Sequence, residues 1–183
     1  MKKVLLSLAT VVLAGSAMAQ TDQGGWMFGA GSNLGFISSK ADNDQDDAES
    51  NFSLDVRAGY FVIDNLGVGL DLGFNSTKFG DATSSGFGAG PYVRYYLPMK
   101  VFGEVGYKFG SEKSNSGAPG EDDAKFSTGR LGIGVGYAAF LNDNISIEPM
   151  VQYAMTSMKP DGGDSVNGSA FGVLVNFGIY LGK

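Results

Sequence analysis

The acidic residues are the first candidates for chemistry in this sequence. In "DNDQDDAE", Asp42, Asp44 and Asp46 follow the i, i+2, i+4 spacing with which a calcium loop presents carboxylate oxygens. The pattern stops there. Asp47 stands where the sharp-turn glycine belongs, and Ser53 where the bidentate glutamate belongs. The stretch therefore reads as a solvated acidic loop, with Asp42, Asp44 and Asp46 as its residual cation candidates. Asp55, Asp71, Glu104 and Glu148 are the other carboxylates placed for acid–base work. They fall on the same inward parity as Arg57, Arg94, Lys108 and Arg130, and pairing with those cations explains them better than catalysis. The chain has no His and no Cys. That removes histidine-based triads, histidine proton shuttles, the usual zinc sites and disulfides. The expectation is a non-enzymatic chain with no catalytic residue and no cofactor. A formal net charge of −6 offers no basic face for phosphate, so nucleic acid is not an expected partner.

The N-terminus carries an export signal. "MKKVLLSLATVVLAGSAMA" has a positive start at Lys2 and Lys3, an apolar stretch from Val4 to Ala14, and a small-x-small site at Ala17-Met18-Ala19. Residues 1–19 are expected to be a Sec signal peptide cut between Ala19 and Gln20. Residues 20–183 then form one domain. After Gln20 no stretch approaches the ~20 apolar residues of a spanning helix.

What positions the charged residues is a period of two. In "FSLDVRAGYFV", Phe52, Leu54, Val56, Ala58, Tyr60 and Val62 alternate with Ser53, Asp55, Arg57, Gly59 and Phe61. The alternation recurs in 66–75, 87–97, 101–109, 127–141, 145–156 and 169–181, and less cleanly in 26–37. Each segment is long enough to cross a bilayer when tilted. The connectors alternate as well. Ile63–Asn65, Pro98–Lys100 and Asn142–Asn144 are tight, whereas 38–51, 76–85, 110–125 and 157–168 are long and polar. Short turns on one side and long loops on the other suit an eight-stranded antiparallel up-and-down transmembrane β-barrel.

Residue size decides which face points outward. An eight-stranded barrel has an interior only wide enough for side chains to fill. The Leu, Val, Phe and Tyr face is too bulky for that space, so it is expected to face lipid. Gly, Ser, Asn and paired charges are expected to fill the lumen. The inward charges are then Asp55, Arg57, Asp71, Arg94, Glu104, Lys108, Arg130 and Glu148. Turn length also fixes register. A three-residue turn pairing Leu97 with Val101 sets Arg94 opposite Glu104, and one pairing Val62 with Leu66 sets Arg57 opposite Asp71. Trp26, Tyr60, Tyr95 and Phe109 are candidates for interfacial aromatic girdles.

With the leader, "GPYVRYYLP" followed by "VFGEVGY", "GIGVGYAAFLNDNISIE" and the terminal "GVLVNFGIYL", the chain resembles the small eight-stranded outer-membrane β-barrel family of OmpX and the OmpA membrane domain. The resemblance covers all of residues 20–183. It implies a bacterial outer-membrane location, with lipid, lipopolysaccharide and the outer-membrane assembly machinery as partners. Such proteins commonly end on an aromatic residue, whereas this chain ends Tyr180-Leu181-Gly182-Lys183. Pro91 and Pro149 interrupt apparent strands, where each removes a ladder donor unless it lies at a bulge. The functional expectation is a barrel with a side-chain-filled lumen that displays loops 38–51, 76–85, 110–125 and 157–168 for envelope structure, adhesion or defence, with a possible extracellular ligand on those loops. The alternative is a narrow channel or carrier for small hydrophobic or ionic solutes.

Overall fold

The computed structural model describes residues 21–31, 35–39, 49–118 and 123–182. The leader with its Ala19–Gln20 site, and Asp42, Asp44 and Asp46, lie outside the described residues. Ten strand segments are present among the described residues: β1 (Trp26–Ala30), β2 (Gly35–Ser39), β3 (Glu49–Ile63), β4 (Leu66–Phe79), β5 (Ala82–Tyr96), β6 (Val101–Asn115), β7 (Ala124–Tyr137), β8 (Ala139–Phe140), β9 (Ile145–Pro160) and β10 (Val166–Leu181). All pairings are antiparallel, and β1 bonds to both β3 and β10, which closes the wall. β1 with β2, and β7 with β8, each make one course of that wall, so the barrel has eight staves.

Two expected strands are broken. The segment 26–37 divides into β1 and β2. Ala30 faces Val56 and Gly35 faces Ser53, so the first strand carries extra residues relative to β3 and shifts register there. The segment 127–141 ends at Tyr137 and resumes as β8. The break lies beside Pro149, whose pairing to β10 persists at Val175 while its pairing to β7 is absent. Pro91 marks a similar gap. The β5–β6 ladder runs to Ala89 and resumes at Tyr92. Both prolines thus sit where a missing N–H is not needed.

The tight turns set the register. Leu97 N–H donates to the Val101 carbonyl at 2.7 Å across the Pro98–Lys100 3₁₀ turn, and Arg94 faces Glu104. Leu141 N–H donates to the Ile145 carbonyl at 2.8 Å, while Asn142 Oδ1 accepts from the backbone N–H of Asn144 and Ile145. The first turn is shorter than expected. Ile63 faces Leu66, leaving Asp64 and Asn65 in the turn, with Asn65 at φ 65°. A bulge between Phe61 and Ile63 absorbs the difference, so Arg57 still faces Asp71.

The connectors expected as loops over 76–85, 110–125 and 157–168 are largely hairpin. Pairing between β4 and β5 continues to Phe79 and Ala82, between β6 and β7 to Ser114 and Ala124, and between β9 and β10 to Met158 and Val166. Within 38–51, Ser38 and Ser39 belong to β2 and Glu49 to Asn51 to β3. Ser, Thr and Lys carry these extensions, because strand pairing in water needs backbone partners more than apolar faces. Strands of 14 to 16 residues exceed the ~10 that cross a bilayer.

The apolar residues do face outward. Leu70 is 59% exposed, Val105 43% and Val173 70%, whereas Tyr92, Arg94 and Phe102 on the opposite parity are at 1% or less. Trp26, Tyr60, Tyr95 and Phe109 are also exposed on the outer face, with Trp26 edge-on to Tyr60 at 5.2 Å. Replacing Leu70 by Arg should therefore cost about 2–4 kcal/mol near the bilayer midplane, read as the unfolding free energy of protein refolded into vesicles. Parity alone would let Gly69 accept Ser, and the structure overturns that. A Cβ at Gly69 would run into the carbonyl oxygen of Ala58, with the Gly59 Cα at 2.7 Å. Gly69→Ser should lower stability as well, and unchanged stability of either variant would contradict the packing.

The lumen plug as candidate functional site

Three layers of side chains fill the lumen from the short-turn end upward. The lowest is aromatic. Phe61, Tyr96, Phe102 and Tyr180 are 0–3% exposed, and ring centroids lie 5.8 Å apart for Phe61–Tyr96, 5.6 Å for Tyr96–Phe102 and 6.3 Å for Tyr96–Tyr180. Phe140 from β8 packs on Tyr180 at 4.9 Å, and Met27 from β1 completes the cluster. This layer departs from the expected filling of Gly, Ser, Asn and charges. The alternation already puts these residues inward, and the absence of a side chain at Gly67 and Gly136 leaves room for the Met27 methyl and the Phe102 ring respectively.

The middle layer is an ion network centred on Arg94. Its Nε donates to Glu104 Oε2 at 2.7 Å and its Nη1 to Glu148 Oε2 at 2.6 Å. Nη1 also reaches the Tyr96 hydroxyl at 3.0 Å. The guanidinium carbon lies 4.0 Å from the Phe102 ring centroid, and its third nitrogen has no hydrogen-bond acceptor among the described residues. Glu148 is held from the other side: its Oε1 accepts from Ser146 Oγ at 2.7 Å and from the Tyr180 hydroxyl. Glu104 Oε2 is shared, because Arg57 Nη1 also donates to it at 2.8 Å. Arg57 Nε completes the chain to Asp71 at 3.0 Å, and its guanidinium lies 4.9 Å from the Tyr92 ring. Two arginines thus link three carboxylates from β3, β4, β5, β6 and β9.

The upper layer is polar and open. Lys108 Nζ meets Asp55 at 2.9 Å across the lumen. Arg130 does not join the ion network. It is exposed, donates to the Gln152 amide oxygen at 3.1 Å, and forms no ion pair among the described residues. Its register neighbours are the reason: Arg130 faces Lys108 on β6 and Thr156 on β9, neither of them an acid. A cavity of about 100 Å³ lies among Asp55, Arg57, Glu104, Lys108, Arg130 and Gln152. Sequence reasoning missed Tyr92, Tyr96, Ser146 and Tyr180 as partners of the charges. Their inward parity was visible; their reach across the lumen was not.

This arrangement holds charge in fixed pairs. It leaves no carboxylate in the middle layer without a cation, and no group of carboxylates among the described residues is arranged to hold a metal. Arg94→Leu strands Glu148 and weakens the hold on Glu104, so it should cost about 3–5 kcal/mol. Glu104→Leu should cost less, because Arg57 keeps Asp71 and Arg94 keeps Glu148. Combining Arg94→Leu with Glu148→Leu should recover part of the loss, since the second change removes the stranded carboxylate. A double-mutant cycle on urea unfolding in lipid measures this, and strictly additive losses would contradict the contact.

Solved structures with a similar chain path include the N-terminal β-barrel domain of Pseudomonas aeruginosa OprF (12% identity, TM-score 0.48, 87% of this chain and 98% of that one). The Yersinia pestis outer membrane protein Ail is similar at 13% identity and TM-score 0.48, over 87% of this chain and all of that one (100%). The outer membrane protein OprG from Pseudomonas aeruginosa is similar at 16% identity and TM-score 0.43, over 91% and 100%. No curated protein matches the sequence. The family described as outer membrane protein beta-barrel domain matches residues 5–178. With its closed antiparallel wall and outward apolar belt, the chain belongs to that family and is a bacterial outer-membrane β-barrel protein.

Proposed function

We propose that the protein is a non-enzymatic structural barrel that presents β-hairpin extensions at the cell surface and conducts no solute through its lumen. The observation that carries this reading is the exposure of the lumen residues. Phe61, Phe102 and Tyr180 are at 0% and Arg94 at 1%. A water column running end to end would wet at least one of them. The cavity bordered by Arg57 and Glu104 lies on the hairpin side of these residues.

The surface role then belongs to the extensions of β4–β5, β6–β7 and β9–β10, together with the loop between β2 and β3. Paired strands carry these extensions past the apolar belt, which suits contact with another surface in envelope structure, adhesion or defence. Export through the Sec route with removal of residues 1–19, and insertion by the outer-membrane assembly machinery, are part of the same proposal. Planar-bilayer recording tests it. The wild-type protein should give no resolved conductance steps, and Arg94→Ala combined with Phe102→Ala should produce them by removing a large side chain from each of two adjacent layers. Steps of equal size in both proteins would overturn the closed-lumen reading and favour a channel.

A further inference from the structure

The upper lumen holds two charges of opposite sign that form no ion pair among the described residues. Arg57, Arg94 and Lys108 pair with Asp55, Asp71, Glu104 and Glu148. Arg130 is left with a neutral partner, the Gln152 amide oxygen. Further up β6, Glu112 lies on the inward parity and has no cation beside it. Register keeps each from a partner. Arg130 faces Lys108 and Thr156, and β7 itself carries no acid. Glu112 faces Gly86 on β5 and Phe126 on β7. Nor do the two meet each other. Lys108, directly opposite Arg130, is four positions from Glu112, which is about 13 Å of strand.

One hollow of about 460 Å³ is lined by both Arg130 and Glu112. Between them on the wall are Gly110 and Thr128, directly paired, with the Thr128 hydroxyl lying over the bare Cα of Gly110. Asn51, Ser53 and Asn75 line the hollow from β3 and β4. The hollow therefore has a positive end, a negative end, and hydroxyl and amide groups between. An anion would match only Arg130, and a cation only Glu112. A ligand with both charges matches both, and it adds no net charge to a lumen where unbalanced charge is costly. Length narrows the class. An extended dipeptide spans at most ~7 Å. The arginine and glutamate side chains, each reaching toward it, cover the remainder of the gap.

We propose that this hollow binds short zwitterionic peptides, with the C-terminal carboxylate on the Arg130 guanidinium and the N-terminal ammonium on Glu112. The planar fork of an arginine matches the two oxygens of a carboxylate. The peptide amide then lies at the level of Thr128, whose hydroxyl can donate to it or accept from it. The site goes beyond the surface role of the hairpins and does not rest on the closed lumen, so conduction by the wild-type barrel would leave it standing.

The test titrates L-alanyl-L-alanine into the isotope-labelled full barrel in uncharged detergent and reads backbone amide shifts by NMR. Saturable shifts should centre on Glu112, Thr128 and Arg130. R130Q and E112Q should each weaken binding about tenfold, the loss of one charge-assisted contact. R130K and E112D, which keep the charges, should bind nearly as wild type does. K113Q, on the outward parity of the same strand, should be unchanged. The N-acetylated dipeptide should bind wild type about tenfold more weakly and be indifferent to E112Q. Absence of saturable shifts, or equal binding by wild type, R130Q and E112Q, would overturn the site. Acetate binding as tightly as the dipeptide would overturn it too, by showing an anion site only. Heat-modifiable gel mobility confirms that each variant is folded. If one is not, the acetylated peptide and acetate decide the question on wild type alone.

Discussion

Hydrocarbon offers no hydrogen-bond partner to a peptide group, and most of this structure follows from that. A strand in lipid must spend its N–H and C=O groups on neighbouring strands, so the sheet must close. β1 does the closing by bonding to both β3 and β10. Closure with only eight staves leaves a narrow interior, which side chains must fill. The filling is therefore a packing problem before it is a functional one. Glycines and large rings solve it together: Tyr92 reaches over Gly59 and Gly69, Phe102 over Gly136, and Met150 over Gly134. Size on one strand is matched by absence on another.

The buried charges obey the same constraint more strictly. An isolated ion at this depth would be very costly, and pairing alone rarely repays the loss of water. Arg94 has more than a pair. Two carboxylates, a phenol and an aromatic face occupy the plane and edges of its guanidinium. Lysine in that position would offer a point charge with no fork and no flat face, and could not bridge Glu104 and Glu148 in the same way. Sharing is the economical feature here. Glu104 serves Arg57 and Arg94, and Glu148 is steadied by Ser146 and Tyr180. The network joins five strands around the lumen, so it fixes their relative heights as well as neutralising charge.

Much of this was legible in the sequence because strand alternation is rigid. Parity assigned Leu70 to the outside and Arg94 to the inside, and the Leu97–Val101 turn put Arg94 opposite Glu104. The turn at Asp64–Asn65 shows why register is robust: a bulge near Phe61 compensated for the shorter turn, and the Arg57–Asp71 pairing was unaffected. What could not be read depended on neighbours across the lumen. Arg130 looks like Arg57 by parity, yet its register neighbours are Lys108 and Thr156, so parity alone does not decide which arginine meets a carboxylate. Gly69 looked tolerant by parity, yet the β3 backbone lies against it. The hairpin extensions look like loops in the sequence because their Ser, Gly, Asn and Asp signal turns when no sheet is in view. Beside an existing ladder, the same residues simply continue it.

The period of two also keeps the two surfaces of the wall independent. β6 carries Phe102, Glu104 and Lys108 toward the lumen, and Val105, Tyr107 and Phe109 toward lipid, in one run of eight residues. Successive Cβ atoms point to opposite faces, so a change of side chain on one face leaves the contacts of the other nearly untouched. Backbone changes are different. A residue inserted in the ladder would invert both faces beyond it, moving Glu104 toward lipid and Val105 into the ion network. Register is thus held from both sides at once, by the cost of charge in hydrocarbon and by the cost of an unpaired arginine in the lumen. Beyond the aromatic edge neither cost applies, because water meets both faces. That is why the strands can run on past the membrane as hairpins whose sequence is free to serve contacts outside, while the stretch within the bilayer is not.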